Sequence, residues 1–123
     1  MVAVLAPIEQ PSGVLMRVAY AFSRRQFGLV LSALKVIYAR KPRLALLAQK
    51  IVATQNSLSL DAEIKALVQV QTARLNGCRF CEDLLLATAY QKRIGQARFA
   101  ALENYRTSPL FTDREKAALA LAE

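Results

Sequence analysis

Apolar side chains recur along this chain at the three- and four-residue intervals of a helix. Ile64, Leu67, Val68 and Leu75 follow the i, i+3, i+4 rule with Gln71 as the polar member of their set, and Leu44, Leu47 and Ile51 repeat the pattern. Alternating runs between turn residues, the mark of strands, do not occur. The spacing predicts helices near 12–25, 28–39, 41–56, 60–75, 78–93, 95–106 and 112–123. Pro42 suits a first helical turn, where its missing N–H costs nothing. Ser59 is the expected cap of the 60–75 helix, with Asp61 and Glu63 placed near the positive helix end. Thr112-x-x-Glu115 reads as a capping box, and Asn76-Gly77 reads as a stop. Connections this short imply antiparallel neighbours, so the expected fold is all-α, a compact antiparallel helical bundle.

The 123 residues fit one helical domain spanning 1–123, with no internal repeat and no low-complexity segment. The last helix opens with a good cap but reaches Glu123 without a closing glycine or proline. Either that end frays or the sequence is shorter than the natural domain. An apolar fraction of 54% exceeds the usual level of about 45–50%, which points to a subunit interface and hence a homo-oligomer. The longest apolar stretch, Phe27 to Ala39, carries Lys35 and falls short of the roughly 18 residues a membrane span needs. Met1–Pro11 lacks a basic start and is interrupted by Pro7, Glu9 and Pro11, unlike a signal peptide. The expected location is therefore the cytoplasm, with no membrane.

The net charge of +8 is concentrated in the first half. Residues 1–60 hold Arg17, Arg24, Arg25, Lys35, Arg40, Lys41, Arg43 and Lys50 against Glu9 alone. Such a half can bind nucleic acid or an acidic partner, or it can be a solvated face. Neither an RNA-binding sheet pattern nor a helix-turn-helix is present, so a basic nucleic-acid-binding helical protein is the weaker alternative.

With two cysteines and no histidine, few chemistries remain. Zinc needs four ligands and this pair supplies half of them, so neither a metal nor another cofactor is expected. A Ser-His or Cys-His arrangement is impossible. Cys78-Arg79-Phe80-Cys81 follows the Asn76-Gly77 stop, so the pair falls at a helix N-terminus. Residues three apart there have Cβ atoms roughly 5–6 Å apart, close to disulfide geometry. Their thiolates meet the positive helix end, which lowers a thiol pKa, and Arg74 and Arg79 add to that field. The plainer alternative is two inert, buried cysteines.

The stretch Leu75-Asn76-Gly77-Cys78-Arg79-Phe80-Cys81-Glu82-Asp83 resembles the signature of the carboxymuconolactone decarboxylase and alkyl hydroperoxidase D-like family. The run from Tyr105 to Glu123 resembles it too, and the similarity extends from about Ser59 to the end, more faintly back to residue 23. The resemblance implies an all-helical dimer, trimer or hexamer. It implies a cysteine pair that reduces hydroperoxides and is recharged by a partner thiol such as a lipoyl group. Cys81 would attack and pass through a sulfenic acid, and Cys78 would resolve it. The family's peroxidase branch has a histidine one turn after the second cysteine and a glutamate twelve residues before the first. Here those positions are Leu85 and Ala66. Asp83, Glu82 and Gln71 are the auxiliary candidates to replace that proton relay. As plain structure, the two acids are helix-start charge and Gln71 an interior polar group. The expected function is thiol-dependent reduction of hydroperoxides or disulfides. The alternative on the same fold is a non-enzymatic redox-sensing or assembly module.

Overall fold

Helix α1 spans Val14–Phe27 and turns Met16, Tyr20 and Ser23 inward. Gly28 ends it with a left-handed backbone (φ 75°), a conformation that strains a side-chain-bearing residue. Ser23 Oγ then donates to the Leu29 carbonyl (2.8 Å) and accepts from the Leu31 N–H (3.1 Å). Those two bonds hold 29–31 off the helical path. The helix expected over 28–39 is accordingly reduced to a wide π turn over Leu34–Tyr38. Tyr20 donates to the Ile8 carbonyl (2.6 Å), and Lys35 pairs with Glu9 at 2.8 Å, which fastens the preceding strand of chain to this unit.

These residues belong to the first of two compact units, which ends at Leu58; the second runs from Ser59 to Glu123. The computed structural model describes residues 5–123. The reading of Met1–Pro11 as unlike a signal peptide rests partly on residues 1–4, which lie outside the described residues. Among the described residues every regular element is helical, and no helix is long and apolar enough to cross a membrane.

Helix α2, Pro42–Ser57, closes the first unit with proline in its opening turn, as expected. Its apolar stripe is exposed. None of its 16 residues is buried, and Leu44, Leu47 and Ile51 are 43%, 54% and 53% exposed. The periodicity identified the helix correctly, and of α2 it is Ala45 that packs against the Met16–Tyr20–Val30 cluster among the described residues.

In the second unit, α3 spans Ala62–Leu75 and α4 spans Arg79–Gln91, two neighbours joined by a three-residue turn. Asp61, not Ser59, caps α3, accepting the Glu63 N–H at 3.0 Å, because the helix starts two residues later than expected. A short α5 (Gln96–Ala100) tightens into a 3-10 turn over Ala101–Asn104 in place of one helix over 95–106. Residues three apart eclipse each other in that geometry, so Leu102 and Tyr105 both point inward. Helix α6, Asp113–Leu121, starts with the expected capping box: Thr112 N–H to Glu115 at 2.8 Å, and Glu115 N–H to Thr112 Oγ1 at 3.3 Å. Leu67, Val70, Leu102 and Leu119, all fully enclosed, form the centre of this unit with Phe99 and Phe111.

One partly buried charge cluster ties three of these elements together. Arg98 of α5 reaches Glu63 at the start of α3 (2.9 Å) and Glu115 in α6 (2.5 Å), with its guanidinium 5.4 Å from the Phe111 ring centre. Burial pushes the Glu115 carboxyl up, but hydrogen bonds from Arg98 and from Thr112 outweigh it and leave the pKa below its ordinary value. A depressed carboxyl contributes stability above its unfolded pKa of about 4.3 and loses it as pH falls through the folded value. Glu115→Gln should therefore cost about 1–2 kcal/mol at pH 7, because it removes the buried one of the two carboxylates paired with Arg98 and leaves it the half-exposed Glu63. The gap to the wild type should narrow below pH 4. Urea denaturation at both pH values checks this, and an equal gap at both would remove the ion pair from the account.

Candidate functional site

Cys78 and Cys81 are joined in a disulfide with Cα atoms 5.3 Å apart, at the junction between α3 and α4. The local sequence puts them there. Asn76 keeps a right-handed backbone, and Gly77 alone takes the left-handed one (φ 65°), so the chain reverses in a single residue. The Cys78 N–H then bonds back to the Ala73 carbonyl at 2.9 Å, which closes α3 as α4 begins. Cys78 is the N-cap of α4, and its sulfur accepts the Cys81 N–H at 3.3 Å. That N–H is one of the unpaired donors at a helix start, so the Cys78 sulfur holds the position an anion prefers. Both cysteines are half-buried: reachable from solvent, yet backed by the helix pair.

Next to the α3–α4 turn lies a cleft of about 500 Å³, walled by α3, α4, α5 and the 3-10 turn; Gly77 and Arg79, the chain neighbours of Cys78, line it, and the two cysteines do not. Three of the residues singled out from sequence meet there: Arg74, Arg79 and Glu82. Arg74 is committed structurally, with Nε bonded to Glu82 at 2.7 Å and a second nitrogen bonded to the Phe99 carbonyl at 2.8 Å. Its charge is neutralised by Glu82, so its effect on the cysteines is to fasten α3, α4 and α5 around them. Arg79 is exposed and no ion pair or hydrogen bond holds it among the described residues. Asp83 is exposed on α4 and Gln71 is buried in α3; neither lines the cleft.

The relay positions are apolar and packed. Ala66 and Leu85 both lie against the core cluster of the second unit, so no proton acceptor occupies either place. Sequence reading missed Glu103, which lines the cleft from the 3-10 turn. It also missed Arg98 and Glu63 as a bridged pair. Both meet their neighbours through folding across more than twenty residues, and no short spacing announces them.

Comparison with known proteins agrees with this geometry. The family model for the carboxymuconolactone decarboxylase family matches residues 43–123, from α2 to the end of the chain. The uncharacterized protein YnjA of Escherichia coli (strain K12) is 30% identical over 102 residues, covering 81% of this chain. The chain spans 56% of the length of that relative. No solved structure matches. The family match covers about two-thirds of the chain, including both cysteines, the cleft and the capping box of α6, and the chain belongs to the carboxymuconolactone decarboxylase family.

Proposed function

We propose that this protein is a thiol-dependent oxidoreductase that reduces hydroperoxides or disulfides through Cys78 and Cys81. The observation that carries the reading is the half-buried disulfide at the start of α4, with Cys78 as the helix cap. In the reduced protein the Cys81 thiolate attacks the hydroperoxide oxygen, the O–O bond breaks, and the alkoxide leaves with a proton as the alcohol. Cys81 is then a sulfenic acid. The Cys78 thiolate, favoured by the N–H group at its cap, attacks the Cys81 sulfur; hydroxide leaves as water and the disulfide forms. An external thiol supplies the two electrons that reopen it. Such a cycle belongs in a reducing compartment such as the cytoplasm. Steady consumption of an organic hydroperoxide with a dithiol, at many turnovers per protein, tests the reading. Oxidation that stops at one equivalent would instead identify a redox sensor.

Self-assembly is part of the same proposal. Five large apolar residues of α2, Leu44, Leu46, Leu47, Ile51 and Val52, stand exposed on one helix, an arrangement that a soluble surface rarely carries. A second copy covering them would bury more than about 1,000 Å². Light scattering should give a multiple of 13.6 kDa at micromolar concentration, and Leu47→Glu with Ile51→Glu should shift it towards the monomer. A wild-type monomer at that concentration would end this part of the proposal.

A further inference from the structure

We propose that a second cavity of the Ser59–Glu123 unit binds a small, uncharged, largely apolar molecule that carries one hydrogen-bond-accepting oxygen. Neither cysteine lines this cavity, so the site stands whether or not the disulfide turns over. Helical spacing builds it. Leu86 and Tyr90 are four apart on α4, and Gln96, Phe99 and Ala100 follow the i, i+3, i+4 rule on α5, so each set shares one helix face. Between the two helices the chain reverses at Arg93, which takes a left-handed backbone (φ 58°), and the Ile94 N–H returns to the Ala89 carbonyl at 3.0 Å. That reversal turns Ile94 inward, where it is buried with Phe99. Arg74 closes the side from α3: one of its terminal nitrogens donates to the Phe99 carbonyl at 2.8 Å. The enclosed volume is about 230 Å³.

Size and wall chemistry together select the ligand. An apolar cavity of about 150 Å³ holds benzene, so about 230 Å³ holds roughly nine non-hydrogen atoms. Ile94 and Phe99 are buried at its floor with Leu86 half-buried beside them, which suits an apolar body. Three polar side chains meet that body with hydrogen-bonding capacity unspent. Arg74 gives Nε to Glu82 and Nη1 to Phe99, which leaves Nη2. Neither the Tyr90 hydroxyl nor the Gln96 amide has a partner among the described residues. All three can donate, so the polar atom of the ligand is an acceptor. Its charge is decided by Glu82. The Arg74–Glu82 pair at 2.7 Å is neutral as a whole, and the other lining residues are uncharged. An ion entering here would lose its water without meeting an opposite net charge. A ketone or ether oxygen therefore fits these walls better than a carboxylate or an ammonium group.

Four probes of equal size, about nine non-hydrogen atoms each, test the proposal: acetophenone, cumene, benzoate and protonated 1-phenylethylamine. They share an aromatic body and differ in carrying a neutral acceptor, no polar atom, an anion or a cation. Amide chemical shifts of the nitrogen-15-labelled 123-residue chain report where each binds and how tightly. Acetophenone should move the amides of Leu86, Ile94 and Ala100 saturably. Cumene should bind about fivefold more weakly for want of a hydrogen bond, and each ion about tenfold more weakly or worse. Ala100→Leu should weaken acetophenone about tenfold by filling the cavity from an exposed position, with an unchanged helical circular dichroism. Tyr90→Phe removes one donor from an exposed side chain, so it should weaken acetophenone about threefold and leave cumene unchanged. That second variant decides the matter should Ala100→Leu fail to fold. Benzoate bound as tightly as acetophenone would overturn the neutral class. No saturable shift at the three amides with any probe, or an acetophenone affinity that the folded variants leave unchanged, would overturn the site.

Discussion

Cys81→Ser should abolish hydroperoxide turnover, while Cys78→Ser should leave a protein that reacts once and stops as a sulfenic acid on Cys81. The two variants differ because the cysteines occupy different places. Cys78 caps α4, and serine is among the best helix caps, so Cys78→Ser keeps the helix start and removes only the resolving sulfur. A sulfenate with no partner thiol persists and is labelled by dimedone. Cys81 sits a turn further in, on the same helix as the apolar Leu85, which disfavours a thiolate by desolvation. The cap position favours the anion on Cys78, whereas the family resemblance assigns attack to Cys81. Mass spectrometry of dimedone-treated variants decides between them. A label confined to Cys81→Ser would reverse the roles and make Cys78 the attacking thiol. No label in either variant, with thiols no faster than free cysteine, would leave the pair structural.

What the sequence made legible was local. The α3–α4 junction follows from Asn76-Gly77 and a three-residue cysteine spacing, and the α6 cap from Thr112-x-x-Glu115; each is settled within four residues of itself. Ser59 and Asp61 were both capping types two residues apart, and only the position of the first helical turn chose Asp61. The π turn over Leu34–Tyr38 was hidden because Ser23 enforces it from α1 through bonds to residues 29 and 31. Apolar spacing finds a helix but not its cover: the Leu44, Leu47 and Ile51 spacing identified α2, and no residue of that helix is buried. At the site, Arg74 and Arg79 look equivalent in sequence. Folding gives Arg74 two partners and leaves Arg79 facing the cleft, a difference set by Glu82 and Phe99.

Ala66→Glu combined with Leu85→His should raise the rate of the first oxidation by about 10²-fold, the lower end for general-base help. The two positions lie on α3 and α4, the most closely packed helix pair of the second unit, and both side chains rest on its core. A carboxylate on one and an imidazole on the other would supply the proton acceptor that this chain lacks near Cys81. Leu85→His alone should instead destabilise by about 1–3 kcal/mol, since it sets an unpaired polar ring against apolar neighbours. Ala66→Glu alone carries a similar penalty for its carboxyl. The double variant should be more stable than the sum of the two, because each new group gives the other a hydrogen-bonding partner. Denaturant midpoints measure that coupling, and stopped-flow oxidation of the reduced protein measures the rate. A folded double variant with positive coupling and no rate gain would show that a base placed here does not reach the Cys81 thiol. The activation that remains would be that of the α4 start, where the Cys81 N–H and the helix dipole favour the thiolate of Cys78, and that result would point to Cys78 as the attacking thiol.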